Sequence, residues 1–84
     1  MKVVLTGKPD CAFCKLLERI VSRLSVDFEK IDITDNPEYM AKVKEGGNTM
    51  PACIFVGDNR YVVSADTPAK VPQVQAWMKE QGVL

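Results

Sequence analysis

Lys2-Val3-Val4-Leu5-Thr6-Gly7-Lys8-Pro9-Asp10-Cys11-Ala12-Phe13-Cys14 is the stretch whose reading decides the fold. Lys2 to Thr6 is a short β-branched and aliphatic run, and Gly7, Lys8 and Pro9 supply turn residues that stop it, the pattern of a buried strand. From Ala12 to Ser25 the apolar residues Leu16, Leu17, Ile20, Val21 and Leu24 fall on one helical stripe, with Lys15, Glu18, Arg19, Ser22 and Arg23 on the other side. A Cys-x-x-Cys pair therefore stands where a strand ends and a helix begins.

Working outward, Asp27 to Ile33 reads as a second strand with Phe28, Ile31 and Ile33 as its apolar positions. It runs into a helix start, since Asn36 can cap and Pro37 suits the first helical position. Tyr39, Met40 and Val43 then share a face until Gly46-Gly47 stops the helix. Beyond Pro51, the runs Ala52 to Val56 and Arg60 to Ser64 flank the turn residues Gly57-Asp58-Asn59 and predict an antiparallel hairpin. Pro68 and Pro72 disfavour a regular helix through both, so the last helix is placed from about Val71, with Val74, Trp77 and Met78 inward and Gly82 at its end. The order β-α-β-α-β-β-α predicts an α/β domain over residues 1–84, a four-stranded mixed sheet with three helices in the thioredoxin-like arrangement.

Composition narrows the function. Eleven basic and eleven acidic side chains cancel, leaving no global positive field for sequence-independent nucleic-acid binding. The hydrophobic share is 46%, with no apolar run approaching the roughly 20 residues of a membrane span. The N-terminal apolar run is too short for a signal peptide, and the expectation is a cytoplasmic monomer. Three cysteines are too few and too unevenly placed for a secreted disulfide scaffold, and in a reducing compartment a C-x-x-C pair reads as redox or metal chemistry.

The placement favours redox. A helix N-terminus offers unpaired N–H groups and the positive end of the dipole, which stabilise a thiolate. Cys11 there is expected to ionise below the free-thiol value of about 8.5, within the roughly 3.5 to 7.5 of activated sites. Lys8 assists; Asp10 opposes if its carboxylate points at the sulfur. Cys14, one turn later, is within reach to attack a mixed disulfide at Cys11. The absence of histidine removes a Cys-His nucleophile pair and most zinc sets. Cys53 reads as a small core hydrophobe. Trp77, Met78 and Tyr39 stand at helical core spacing and need no functional role, and the Lys42, Lys44, Glu45 run reads as solvated surface.

These residues resemble the glutaredoxin family: Lys8-Pro9-Asp10-Cys11-Ala12-Phe13-Cys14, then Gly46 to Pro51 with Thr49-Met50-Pro51, and more weakly Ser64-Ala65-Asp66-Thr67. The resemblance covers nearly the whole chain. It implies a thiol–disulfide oxidoreductase with Cys11 and Cys14 as catalytic pair, no tightly bound cofactor or metal, and glutathione as co-substrate. It also implies a cis Met50-Pro51 bond, which costs only about 0.5–1 kcal/mol, beside the cysteines, presenting the Met50 backbone to the cysteinyl part of a substrate. By the same resemblance Lys8, Phe13, Lys44, Thr49, Asp66 and Thr67 line the substrate groove, with Lys44 toward a glutathione carboxylate and Asp66 and Thr67 toward its γ-glutamyl end. Three departures stand out: Ala12 replaces proline, Phe13 replaces tyrosine, and Val62-Val63-Ser64 replaces a Gly-Gly turn, where larger side chains narrow the groove.

Three functions compete at this point. The first is glutathione-coupled reduction of protein disulfides or mixed disulfides. The second keeps the chemistry but takes electrons from thioredoxin reductase and serves ribonucleotide reductase; the missing Gly-Gly turn favours it. The third is an iron–sulfur or metal-binding module, against which the presence of Cys14 argues, since cluster-binding relatives carry a single active-site cysteine.

Overall fold

The computed structural model describes residues 2–45, 51–64 and 67–84. Strand β1 (Val3–Gly7) is buried along its whole length, as befits a central strand of β-branched and aliphatic residues. It pairs in parallel with β2 (Glu29–Asp32) and antiparallel with β3 (Cys53–Val56), which pairs in turn with β4 (Asn59–Val62), so the sheet order is β2-β1-β3-β4. Helix α1 (Ala12–Arg23) makes the crossover that a parallel β1–β2 pair requires. Helices α2 (Pro37–Lys44) and α3 (Val71–Glu80) complete the four-stranded mixed sheet with three helices.

Alternation along β1 builds two cores. Val3 and Leu5 point to one face, where they join Leu17, Ile20 and Val21 of α1 and Val74 and Met78 of α3. Val4 points to the other, with Ile33, Cys53, Phe55 and, from α2, Val43. Leu17, Val21, Val74 and Met78 are completely buried, and each such side chain contributes about 1.5–3 kcal/mol by leaving water. A strand packed on both faces makes a stiff base for the segment that leaves its C-terminal end, and that segment carries the cysteines.

The helix starts are as the sequence predicts. The Asn36 side chain accepts the Tyr39 N–H at 3.2 Å ahead of Pro37, and α3 begins at Val71 with Pro72 in its first turn. Strand ends differ. β2 is shorter than Asp27 to Ile33 because it is an edge strand, paired to β1 only where β1 continues to Gly7, and its first two residues are exposed. The hairpin turn takes two residues rather than three: Gly57, at φ 58°, supplies the first position of a primed turn, and Asn59 pairs with Val56. Leu16 is 37% exposed, lying on the margin of the α1 stripe rather than in it. The expected Gly46-Gly47 helix stop, the cis Met50-Pro51 bond, and the residues Thr49, Met50 and Asp66 fall outside the described residues. No helix among the described residues is long and apolar enough to cross a membrane.

Candidate active site

Between β1 and α1 the chain passes through Lys8, Pro9 and Asp10, all exposed. Asp10 adopts the left-handed backbone at φ 64°, a conformation that Asp tolerates better than most residues. The reversal brings Cys11 in as the N-cap of α1, at φ −95° and ψ 114°. Its Sγ accepts the Cys14 N–H at 3.2 Å, occupying the place where a Ser, Thr, Asn or Asp oxygen ordinarily caps. A thiolate accepts that bond more strongly than a thiol and also meets the positive end of the helix dipole. No acidic residue stands in the first turn to oppose it.

Cys14 is buried and packs in the α1–α3 core. It is joined to Cys11 by a disulfide with Cα atoms 5.2 Å apart, so the two sulfurs can exchange a bond with little backbone movement. The seat of Cys14 depends on Gly7. A side-chain carbon built there would lie 2.9 Å from Cys14 Cβ and 3.1 Å from its Sγ, closer than real side chains pack. In the sequence Gly7 reads only as the end of a strand; its second role appears once the helix folds back over β1. Cys53 is completely buried on the opposite face of the sheet, with Val4 and Ile33, and takes no part in the disulfide.

The remaining residues expected at the site are spread unequally. Lys8 lines a cavity of about 250 Å³ together with Cys14, Lys15, Glu18, Lys30 and Asp32, so it stands on the β2 side of the pair. Lys30 and Glu18 form an ion pair across it at 2.9 Å. The Asp32 carboxylate accepts the Thr34 hydroxyl and N–H at 2.6 and 2.9 Å, bonds that hold its pKa below the usual carboxylate value. Phe13, in the first turn beside Cys14, is 49% exposed. Pro51 is half-buried, and its carbonyl accepts the Thr6 hydroxyl at 3.0 Å.

Two more expected residues lie on other elements. Lys44 is the exposed last residue of α2, on the sheet face away from α1. Thr67 lies in the β4–α3 loop, where its hydroxyl donates to the Val62 carbonyl and lies 2.7 Å from the Ser64 hydroxyl. Its N–H is held by Ser64 Oγ at 3.2 Å. Val63 beside it is buried, and the Tyr61 hydroxyl donates to the Pro68 carbonyl at 2.6 Å. Among the described residues no group of three or more His, Cys, Asp or Glu side chains is placed to hold a metal ion.

Known proteins resemble this arrangement. The chain is 25% identical over 80 residues to the SPbeta prophage-derived thioredoxin-like protein YosR of Bacillus subtilis, covering 95% of this chain and 98% of that protein. Among solved structures it is similar to the glutaredoxin-like NrdH-redoxin of Escherichia coli, with a TM-score of 0.71 at 18% identity over 90% of this chain and 93% of that one. It is also similar to a glutaredoxin from Brucella melitensis, with a TM-score of 0.64 at 26% identity, covering 95% and 80% respectively. Thioredoxin 1 of Thermosipho africanus aligns with a TM-score of 0.56 at 20% identity, over 98% of this chain and 99% of that one, so the fold is thioredoxin-like. The family model that matches runs over residues 3–62, from the first residue of β1 to the last of β4, and the chain belongs to the glutaredoxin family of thiol–disulfide oxidoreductases.

Proposed function

We propose that this protein reduces protein disulfides by two-thiol exchange in the cytoplasm, acting as a monomer through a single domain over residues 1–84. The Cys11 thiolate attacks one sulfur of the substrate disulfide, forming a Cys11–substrate disulfide and releasing one substrate thiolate. Cys14, as thiolate, then attacks Cys11 Sγ and releases the second, leaving the Cys11–Cys14 disulfide and two substrate thiols once protons are taken up. Two electrons pass from protein to substrate. The observation that carries this reading is the N-cap sulfur of Cys11 receiving the Cys14 N–H, with Cys14 buried one turn behind it. The Met50-Pro51 backbone docks the cysteine-bearing segment of the substrate by main-chain pairing.

Two donors can return the disulfide to dithiol. Glutathione is the first, and Lys8, Lys44, Thr49, Asp66 and Thr67 are its proposed contacts. The second reading takes electrons from thioredoxin reductase and delivers them to ribonucleotide reductase. It is favoured by Thr67, whose hydroxyl is already engaged by Val62 and Ser64 rather than directed to a ligand. The Escherichia coli NrdH-redoxin, described as a glutaredoxin-like protein with a thioredoxin-like activity profile, supports it as well. Coupled NADPH oxidation decides between them: thioredoxin reductase is expected to sustain turnover of a protein disulfide, and turnover with glutathione and glutathione reductase alone would reverse the choice.

A further inference from the structure

Thr6 is the buried polar residue among those described, 3% exposed, and its hydroxyl has a particular task. The β1–β3 ladder ends at the pair Thr6–Cys53. Beyond it β1 continues only against β2, through Gly7 and Asp32, so β3's upstream neighbours have no backbone partner on β1. The Ala52 carbonyl is met from the other side by the Val63 N–H at 3.3 Å. Pro51 has no N–H to offer, and its carbonyl is held by the Thr6 hydroxyl at 3.0 Å, with the Cys53 carbonyl a longer second contact at 3.4 Å. Among the described residues that one hydroxyl is what fixes the backbone of Pro51.

The location of the hydroxyl matters because β1 also delivers the nucleophile. Thr6 is followed at once by Gly7, on which Cys14 sits, and by the short turn that sets Cys11 at the helix end. We infer that Thr6 is a positioning residue for substrate docking: its hydroxyl ties the Pro51 backbone to β1, the strand that leads into the cysteine-bearing turn and helix, and so sets the docking edge at a fixed place relative to Cys11. This rests on the proposal that the Met50-Pro51 backbone docks the substrate, with Pro51 as the residue of that pair that Thr6 holds. Thr6 touches no reacting atom; it acts through Pro51.

The test compares Thr6→Val, which keeps the shape without the hydroxyl, with Thr6→Ser, which keeps the hydroxyl, and with Pro51→Ala, each as reductant of a synthetic disulfide-bridged peptide. Thr6→Val is expected to raise KM for the peptide by about three- to tenfold with kcat within about twofold, and Thr6→Ser to restore KM. Cys11 alkylation is expected to proceed at one rate in all three. An equal rise in the Val and Ser variants, or a parallel fall of KM-independent turnover and alkylation, would reduce Thr6 to a structural residue and overturn the inference. A raised KM in Pro51→Ala with an unchanged KM in Thr6→Val would overturn it while leaving the docking reading intact. An unchanged KM in Pro51→Ala would remove the docking reading and the role of Thr6 with it. Should Thr6→Val fail to fold, Thr6→Ala is judged by the same split.

Discussion

The β1–α1 corner and the β4–α3 loop flank the same end of the sheet but are held by different physics. At the corner, position is set by packing: Gly7 leaves room for Cys14 and no more, and the strand beneath it is buried on both faces. In the loop, position is set by polar groups bonding to one another, Thr67 to Val62 and Ser64 and Tyr61 to Pro68. Packing leaves the corner's polar group, the Cys11 sulfur, directed at a helix end and available for chemistry. Mutual hydrogen bonding engages the loop's own groups. The cysteine pair is thus placed by the fold itself, whereas the loop's conformation is set by its own side chains.

The largest way to strain this contrast is Gly7→Ala. Relief of backbone entropy favours alanine in a strand by about 0.5–1 kcal/mol, but the new carbon meets a β-carbon rather than a flexible tip. Overpacking of about 1–3 kcal/mol therefore prevails. Thermal unfolding should show a lowered midpoint, and the mixed disulfide at Cys11 should persist longer because Cys14 is displaced. An unchanged midpoint and lifetime would show that the corner is looser than its geometry indicates.

A smaller effect is expected in the loop. Thr67→Val removes the bond to Val62 and the one shared with Ser64, costing about 1 kcal/mol in a denaturant titration. The KM for a glutathione mixed disulfide should not rise, because the hydroxyl serves the loop. A clear rise would return Thr67 to the glutathione groove and favour the first donor.

How much of this is legible in the sequence follows the same division. The strand, turn and stripe around Cys11 and Cys14 are local patterns, and so is the Asn36-Pro37 helix start; all are visible without coordinates. The closeness of Gly7 to Cys14 is not, because it depends on the angle at which α1 returns over β1. Nor is the Thr6–Pro51 bond, which joins residues far apart along the chain and exists only because the ladder stops at Cys53. Strand β2 ended early because an edge strand's length is set by its partner, not its own pattern. The engagement of Thr67 was hidden in the loop's conformation, although the Ser64-to-Thr67 spacing is that of a side chain bonding a backbone N–H a few residues on.

The smallest effect lies in alkaline solution. Burial raises the pKa of Tyr61 above the ordinary tyrosine value, so the folded protein holds that proton more tightly than the unfolded chain. The associated stability is fully present below the unfolded value of about 10 and is lost as pH rises through the folded value. Denaturation midpoints should fall over that alkaline window in the native protein and fall less in Tyr61→Phe. Parallel curves would mean that the Tyr61 anchor of the loop contributes nothing through its ionisation.

The division of labour between the two thiols is tested most directly by trapping. A Cys14→Ser protein, reduced and then exposed to oxidised glutathione, is analysed by intact mass and by mapping of the modified peptide. Because Cys11 keeps the helix end while its resolving partner is gone, one stable glutathione adduct on Cys11 is expected. An adduct on Cys53, or no adduct at all, would contradict the assignment of Cys11 as the nucleophile.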